Sequence, residues 1–541
     1  MNQTLHEIRK IFRNPRFCVV SAWLAATCFA FVLTSVQGVP VPAVHDEFAY
    51  LLGADTYAQG RVTNPTHPLW QHFETFHVIH QPTYIPKYQP AQSLTIAVGQ
   101  LLGEPHIGVC LATGVSIAAL VWMLTGWLPR KYFWLIWLFC VFHPGLQILW
   151  GQSYWGGAVP LTGASLLLGA LGRTTHKMER RFAVVAAVGI LLLANSRPFE
   201  GAVLTGMVGL GLVWKLTRHS DFKLTTLIAH VLGPCSMVLG VGALAMAANN
   251  YSVTGNAWKM PYRAYEASYG WSPLFLWQTA KPKPEYRHHE MELYYTVDKT
   301  MNENAFQTWG DIWWAKSKTS ADLAKFFCGG AELLTLVGLP LAIRRPRFRF
   351  ALILMTPVFL AALTTPWAWA HYGAPAAPLL ILLMFRSWIE IWLKTRSPKL
   401  RVVRWAIIGV IPVFFSIWFS SIFLANGIKS RENWASHRLN IERKLLAEAG
   451  QDLVLVRYSN DHDPNFEWVY NAANIDAAGV VWAREISDQR RDELLHYFSD
   501  RKIWVVDADA KQPMLTRFSE PDRSQQDWEL GLNSINQTVL Q

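Results

Sequence analysis

The chain has 541 residues, and its composition excludes an ordinary soluble protein. Apolar residues make up 51% of it and charged residues only 16%, whereas soluble proteins carry about 25% charged residues. Runs without any Asp, Glu, Lys or Arg occupy 105–128, 224–248 and 405–425. Because about 20 apolar residues in a helix span the core of a bilayer, the sequence predicts a polytopic, predominantly α-helical membrane protein.

The net charge and the cysteines give further information about the class of protein. A net charge of +11 would favour a nucleic-acid partner for a soluble protein. Here the basic residues cluster at the ends of apolar runs, which is a signal of membrane orientation, so no nucleic-acid partner is predicted. The six cysteines lie inside or at the edges of apolar segments and form no CxxC pair. This pattern indicates neither disulfides nor a thiolate metal site.

The apolar runs predict about eleven membrane spans. The first follows a basic segment, 9–16, as a cleaved signal peptide would. Its apolar run is longer than a signal peptide's, however, and a poor cleavage site follows it, so we predict an uncleaved span. The predicted spans are 17–37, 107–128, 132–149, 158–172, 182–194, 201–214, 224–248, 326–343, 350–365, 374–393 and 405–425.

The distribution of Lys and Arg predicts the orientation of these spans. One set of short connections carries clusters of basic residues, such as 344–349 and 394–404. The opposite short connections carry only Arg61, Lys87 and Arg197. Because basic residues mark the cytoplasmic side, the N-terminus is expected in the cytoplasm. The two short runs after residue 181 are either two crossings or a re-entrant hairpin buried in protein.

Three large segments then lie on the outer side. In the first, 38–104, the stretch 91–103 predicts an interfacial helix. The second, 249–325, is rich in Trp and Tyr, and the third is the polar tail, 430–541. The tail predicts helices at 431–449 and 487–498 and short strands at 453–457, 480–482 and 503–506. We therefore expect a membrane domain, 1–429, followed by a small α/β outer domain, 430–541.

Ionisable and aromatic residues gather at the outer ends of the spans, where polar groups are functional candidates by default. Asp46 and Glu47 follow the first span, although such a pair is also a common helix cap. The other residues at these ends are Trp155, Arg197, Glu200, Trp369, His371 and Tyr372.

The first outer segment also contains a group of histidines. The order His72-x-Glu74-x-x-His77-x-x-His80 could present side chains to a divalent metal, with Glu74 and His77 as the candidates. Its spacing does not match the HExxH motif, and histidine is common at membrane interfaces. No metal site is therefore predicted.

The first outer segment carries the residues of a family resemblance. It contains His45-Asp-Glu-Phe-Ala-Tyr-Leu-Leu52, then Gln59-Gly60, and later Tyr88-Gln-Pro-Ala91 before the predicted helix. With many further spans and a C-terminal outer domain, this arrangement resembles the GT-C glycosyltransferases, which include protein O-mannosyltransferases, the lipid A aminoarabinose transferase and Rgt-type bacterial enzymes. Many relatives have a Pro-Pro or Lys-Pro-Pro stretch in place of the Gln89-Pro90-Ala91 found here.

The resemblance implies transfer of a sugar from a polyprenyl-phosphate donor to a glycan, lipid or protein acceptor, with inversion at the anomeric carbon. It implies Asp46 as the base and Glu47 as a second choice or an orienting partner. Arg197 is expected to bind the phosphate, since it is almost the only cation in a short outer connection. Further substrate-binding candidates are Lys87, Tyr88, Trp155, Glu200, His371 and Tyr372. Some GT-C members require a divalent metal and others do not, so no cofactor is predicted.

Two other classes of function stay open at this point. A transporter or flippase would explain the many spans, but such proteins usually contain broken central spans and an internal repeat, and the sequence has no repeat. A non-catalytic sensor or assembly factor would use the tail as a binding module. The expected location is the bacterial inner membrane, with the C-terminal domain outside the cytoplasm.

Overall fold

The computed structural model describes residues 10–174, 179–218, 224–329, 332–367, 369–429 and 434–519. The molecule is predominantly helical, as the sequence predicts. The helices up to residue 429 are α1 (Pro15–Gln37), α2 (His45–Ala58), α3 (Ala91–Leu101), α4 (Pro105–Trp127), α5 (Phe133–Val141), α6 (Ala158–Thr174), α7 (Arg180–Ala194), α8 (Pro198–Arg218), α9 (Leu224–Leu227), α10 (Gly233–Thr254), α11 (Pro261–Ser268), α12 (His289–Ala305), α13 (Trp309–Cys328), α14 (Glu332–Ala342), α15 (Pro346–Leu363), α16 (Ala377–Lys394) and α17 (Arg401–Lys429).

Several helices have the length and composition of membrane spans, so the chain is an integral membrane protein. Within the described residues, five helical stretches meet both criteria: Pro15–Gln37, Pro105–Trp127, Arg130–Trp150, Thr225–Thr254 and Pro346–Leu363. Shorter apolar helices cover Pro198–Trp214 and Phe415–Ala425. The total of eleven spans stays a prediction.

The predicted span 326–343 is divided in the structure. Helix α13 ends at Gly329, which caps it in the left-handed conformation at a φ of 67°. A glycine in this conformation commonly ends a helix. The short helix α14 then begins at Glu332. The apolar run 326–343 therefore contains the end of α13 and the whole of α14, and the hydropathy pattern did not reveal the boundary between them.

Helices α7 and α8 are longer than the runs 182–194 and 201–214 predict, with 15 and 21 residues. The chain reverses between them at 195–197. The carbonyl oxygen of Asn195 accepts a hydrogen bond of 3.3 Å from the N–H of Ala91, at the start of α3. This bond holds the turn that carries Arg197 against the first outer segment.

The first outer segment folds into α2, a small antiparallel sheet and α3. The sheet has the order β1-β3-β2, formed by β1 (Asn64–Pro65), β2 (Val78–Ile79) and β3 (Thr83–Pro86). The predicted helix at 91–103 is confirmed as α3. It packs closely on α4, because a Cβ added at Gly99 would lie 2.2 Å from the backbone nitrogen of Gly108. Glycines thus allow the two backbones to meet.

The C-terminal segment forms the predicted α/β arrangement. Strands β4 (Asp452–Arg457), β5 (Val480–Arg484), β6 (Lys502–Asp507) and β7 (Thr516–Arg517) lie in the order β5-β4-β6-β7. Strand β4 is parallel to β5 and β6, and β7 is antiparallel to β6. The two predicted helices are confirmed as α18 (Trp434–Ala447) and α19 (Asp488–Tyr497). The sequence did not predict the two-residue strand β7.

The C-terminal segment shares a hydrophobic core with the first outer segment. Leu52 and Phe73 belong to the same buried cluster as Leu453 and Val481. The carboxylate of Asp55 adds a polar contact, because its Oδ2 accepts a hydrogen bond of 2.7 Å from the N–H of Ala473. Burial of apolar surface on both sides therefore fixes the sheet against α2.

Arg484 joins three parts of the outer region. Its guanidinium is buried, with the side chain only 3% exposed, and lies 2.9 Å from the Glu290 carboxylate of α12. It also pairs with Glu467 of the C-terminal segment. Its carbonyl oxygen accepts a hydrogen bond of 2.9 Å from His72 of the first outer segment. A buried cation with two carboxylates cannot be removed without leaving uncompensated charge.

We expect Arg484→Met to destabilise the outer region by about 3–5 kcal/mol, because two carboxylates lose their buried partner. Chemical unfolding of the detergent-purified protein, followed by tryptophan fluorescence, measures the change. The control is Arg443→Met, at an exposed position of α18, where a change within about 0.5 kcal/mol is expected. Equal effects of the two variants would contradict the structural role of Arg484.

The first outer segment buries several histidines in their neutral form. Burial lowers the pKa of His45 to about 3 and that of His80 to about 4. Burial also lowers the pKa of His77 well below its usual value. An unfolded chain binds protons at these rings near pH 6.5, whereas the folded chain does not. The stability that they contribute is therefore present above pH 6.5 and is lost as the pH falls below it.

The melting temperature should consequently fall between pH 6.5 and pH 5, by an amount that corresponds to about 1.4 kcal/mol per pH unit for each histidine. Thermal melts in detergent across pH 5 to 8 measure this slope. His80→Gln should reduce the slope, whereas His437→Gln, at an exposed position, should leave it unchanged. A melting temperature that is constant across this range would contradict the neutral burial of these rings.

Candidate functional site

A cavity of about 300 Å³ lies among the first outer segment, the turn before α8, helices α11 and α12, and the connection from α15 to α16. The turn lies at the end of α7 and the connection at the end of α15, so these parts meet at one end of the helices. The cavity brings together most of the residues predicted from the sequence: Asp46, Lys87, Tyr88, Trp155, Arg197, Glu200, His371 and Tyr372.

Asp46 lies in the first turn of α2, where the positive end of the helix dipole favours a carboxylate. Its Oδ1 accepts a hydrogen bond from the hydroxyl of Tyr88. The Nε2 atom of His77 lies 3.6 Å from the same oxygen, and the Asp46 side chain keeps 22% of its exposure. A partly exposed, oriented carboxylate of this kind can accept a proton from a molecule in the cavity.

Glu47 lies outside the cavity lining. Its Oε1 accepts a hydrogen bond of 2.9 Å from the N–H of Tyr154, and its Oε2 accepts one of 2.9 Å from the N–H of Ala43. Burial raises its pKa to about 7. The carboxylate therefore fixes the start of α2 against the connection before α6, and it has no contact with the cavity.

Lys87 reaches the cavity as one half of an ion pair. Its Nζ lies 3.1 Å from Oε1 of Glu266 on α11, and both side chains are at most 10% exposed. The ammonium group also lies 4.9 Å from the ring centroid of Tyr262 and 4.7 Å from that of Tyr265. These contacts largely neutralise the charge of Lys87 within the cavity wall.

Arg197 places a second cation in the cavity. Its guanidinium carbon lies 4.0 Å from the ring centroid of Tyr372. Glu200 is buried in the first turn of α8 and interacts electrostatically with Arg197. Guanidinium donors are always charged and bind phosphate oxygens in pairs, so this group can bind an anion.

Aromatic rings form a further part of the wall. The Trp155 ring lies 4.9 Å from the His371 ring and 5.5 Å from the Trp369 ring. Trp155 precedes Gly156 and Gly157, whose φ angles of 95° and 118° are readily adopted only by glycine. This tight turn directs the chain into α6 and leaves Trp155 on the cavity side.

The large outer segment supplies cavity residues that the sequence did not single out. They include Tyr262 and Glu266 on α11 and Tyr294 and Asp298 on α12. Burial raises the pKa of Asp298 to about 6, and its Oδ1 accepts a hydrogen bond of 2.9 Å from Trp367. Each Tyr precedes its acidic partner by four residues, which places both on one helix face. This four-residue spacing is the sequence pattern from which the two pairs could have been identified.

Glu74 and His77, the two candidate metal ligands, have different partners and do not form a common site. Glu74 accepts a hydrogen bond of 2.6 Å from the Tyr269 hydroxyl and lies 3.3 Å from His288. Burial opposes its ionisation, but these hydrogen bonds prevail and lower its pKa to about 2. His77 instead faces Asp46. Within the part of the chain that the structure describes, no three His, Cys, Asp or Glu side chains are grouped so that they could hold a metal ion.

No protein-family model matches the chain, and no curated protein matches its sequence. Among solved structures, it is similar to ArnT from Cupriavidus metallidurans in the apo state, with 12% identity, a TM-score of 0.47 and coverage of 90% of this chain and 92% of that one. It is also similar to the Archaeoglobus fulgidus oligosaccharyltransferase tethered with an acceptor peptide, with 12% identity, a TM-score of 0.44 and coverage of 90% and 68%. A third similar structure is the Archaeoglobus fulgidus oligosaccharyltransferase AglB in complex with an inhibitory peptide and a dolichol-phosphate, with 11% identity, a TM-score of 0.41 and coverage of 90% and 69%.

ArnT and AglB are GT-C glycosyltransferases, the superfamily that the sequence motifs resemble.

Proposed function

We propose that this protein is a membrane glycosyltransferase that moves a sugar from a polyprenyl-phosphate donor to an acceptor hydroxyl on the outer side of the membrane. The observation that carries the proposal is the cavity itself. It combines one partly exposed carboxylate, Asp46, with the guanidinium of Arg197 and walls of Tyr and Trp rings. These are the groups that transfer of a sugar from a lipid phosphate requires.

The two charges act on the same space. Tyr50, Tyr262 and Tyr372 line the same cavity as Asp46 and Arg197. A molecule that lies between these rings therefore meets a proton acceptor and an anion ligand together. The aromatic faces offer packing surfaces for a sugar and for the first part of an isoprenoid chain.

The reaction that fits this arrangement is a single displacement. The acceptor oxygen forms a bond to the anomeric carbon, and the bond from that carbon to the phosphate oxygen breaks. Asp46 takes the acceptor's proton, and Arg197 stabilises the departing polyprenyl phosphate. The transition state resembles the oxocarbenium ion of glycoside hydrolysis, and one displacement inverts the anomeric configuration.

Other cavity residues have positioning roles in this proposal. The Tyr88 hydroxyl and His77 orient the Asp46 carboxylate, and Glu47 fixes the helix turn that carries it. Lys87 holds the Glu266 carboxylate of α11, so it acts on the shape of the cavity more than on the donor phosphate. His371 and Trp155 form the aromatic wall beside Arg197. No metal ion is assigned a step.

Asp46→Asn should lower sugar transfer by about 10²–10⁴-fold, because the amide cannot accept the proton. Transfer is measured by mass spectrometry of surface glycans in cells whose own copy is deleted and replaced by the variant. Asp322→Asn, at an exposed position of α13, is the control and should retain activity. Undiminished transfer by a normally produced Asp46→Asn protein would remove Asp46 from the proposed mechanism.

Arg197→Gln should lower kcat/KM for the donor by about 10–100-fold, as expected for the loss of hydrogen bonds from a charged group. Polyprenyl-phosphate sugars extracted from the host membrane serve as the donor for the purified protein. Arg197→Lys should recover part of the loss, since it restores the charge but not the paired donors. Arg263→Gln, at an exposed position of α11, should behave as the unchanged protein. If Arg197→Gln matched that control, the phosphate role would be wrong.

A further inference from the structure

A second cavity, of about 410 Å³, lies at the opposite end of the helices from the first. It is formed by the C-terminal end of α4, the N-terminal end of α15 and the later part of α16. Three arginines contribute to its lining: Arg345, Arg347 and Arg386. No Asp or Glu belongs to that lining among the residues that the structure describes. We refer to it as the arginine cavity.

The arginine cavity carries excess positive charge. The carboxylate of Glu390 lies beside the cavity and forms ion pairs with two of its arginines. It lies 3.0 Å from Nε of Arg345, and it also pairs with Arg386, which is one helical turn away on the same helix. Arg347 donates instead to carbonyl oxygens at helix ends, 2.6 Å from Gly126. Three guanidinium groups and one carboxylate give the cavity a net charge of +2.

Two buried guanidinium nitrogens also lack a hydrogen-bond acceptor. The Nε atoms of Arg347 and Arg386 are both buried without a partner, and Arg386 as a whole is 4% exposed. A buried donor that binds neither protein nor water costs about 1–3 kcal/mol. The protein itself therefore does not satisfy all the donors of these two guanidinium groups, which line the cavity.

The start of α15 adds one backbone donor to the same cavity. This helix has 18 residues, and its N-cap residue, Arg345, makes no side-chain capping bond. Its first residue, Pro346, has no N–H, and the N–H of Phe348 already donates to the carbonyl oxygen of Arg345 at 3.0 Å. The N–H of Arg347 has no partner within the helix, and together with the helix dipole it favours an anion, above all a phosphate.

The remaining wall is apolar. The guanidinium of Arg347 lies 4.7 Å from the Trp127 ring centroid, and that of Arg386 lies 5.0 Å from the Phe348 ring centroid. Helix α4 ends at Trp127 and α15 begins at Pro346, and both are long and apolar enough to span the membrane. The cavity therefore lies at the depth where lipid headgroups meet acyl chains. Basic pockets between spans at this depth suit anionic headgroups.

We propose that the arginine cavity binds the phosphate of an anionic phospholipid headgroup. The phosphate oxygens accept hydrogen bonds from the arginine side chains that line the cavity and from the N–H of Arg347, and the acyl chains follow the apolar wall into the bilayer. A volume of about 410 Å³ is within the range of small-ligand pockets, about 300–1,000 Å³. This site is independent of the proposed sugar transfer, which takes place at the other end of the helices.

The test uses the full-length protein in a neutral detergent and short-chain lipids as probes. Thermal stabilisation is titrated with dioctanoyl phosphatidylglycerol, dioctanoyl phosphatidylcholine and inorganic phosphate. Phosphatidylglycerol should bind at least about tenfold more tightly than either of the others. Arg345→Gln should weaken phosphatidylglycerol binding about tenfold, as loss of a charge-assisted hydrogen bond predicts. Because the Arg345 side chain is 60% exposed, this change should not disturb folding.

Two further variants make the result specific. Arg386→Gln combined with Glu390→Gln removes one cation and its carboxylate together, so the net charge of the cavity does not change, and the loss of the Arg386 donors should weaken phosphatidylglycerol binding. Arg349→Gln, which changes an exposed arginine of α15 that does not line the cavity, should retain wild-type binding. Equal binding of the two lipids, equal losses in Arg345→Gln and Arg349→Gln, or inorganic phosphate binding as tightly as phosphatidylglycerol would overturn the proposal.

Discussion

The position of the first outer helix depends on one buried carboxylate. Glu47 accepts two backbone hydrogen bonds, from Ala43 before α2 and from Tyr154 before α6, and these offset part of the cost of burying it. Successive residues of a helix point about 100° apart. When Glu47 faces the protein, Asp46 therefore faces the cavity. The orientation of Asp46, the proposed base, therefore depends on Glu47, which does not line the cavity.

The surroundings of α2 then complete the outer end of the molecule. The C-terminal sheet packs on one side of the first outer segment through Leu52 and Phe73, and Arg484 ties that sheet to α12. On another side, the hydrogen bond from Ala91 to Asn195 brings the Arg197 turn alongside. The C-terminal segment and the first outer segment consequently form one packed body, of which the first outer segment lines the cavity.

The two ends of the helices use arginine in different ways. At the end that holds the first cavity, Arg197 lies against the Tyr372 ring and lines the same cavity as Asp46. At the opposite end Arg347 binds the carbonyl oxygen of Gly126 at the end of α4, where the negative end of a helix dipole favours a cation. Basic residues at this end therefore also cap helices. Arg345, Arg347 and Arg386 line the second cavity there.

The sequence by itself determined the features that depend on local order along the chain. Hydropathy and spacing predicted the apolar helices, α3, and the strands β4, β5 and β6. Asp46 and Arg197 were candidate site residues because they lie at the ends of predicted spans. Helices long enough to span a membrane place the residues at their ends on one of its two surfaces. Only the tertiary structure decided that Glu47 faces away from the cavity, that Lys87 pairs with Glu266, and that α11 and α12 close the cavity. Those outcomes depend on contacts between residues more than a hundred positions apart, whose pairing no local periodicity encodes.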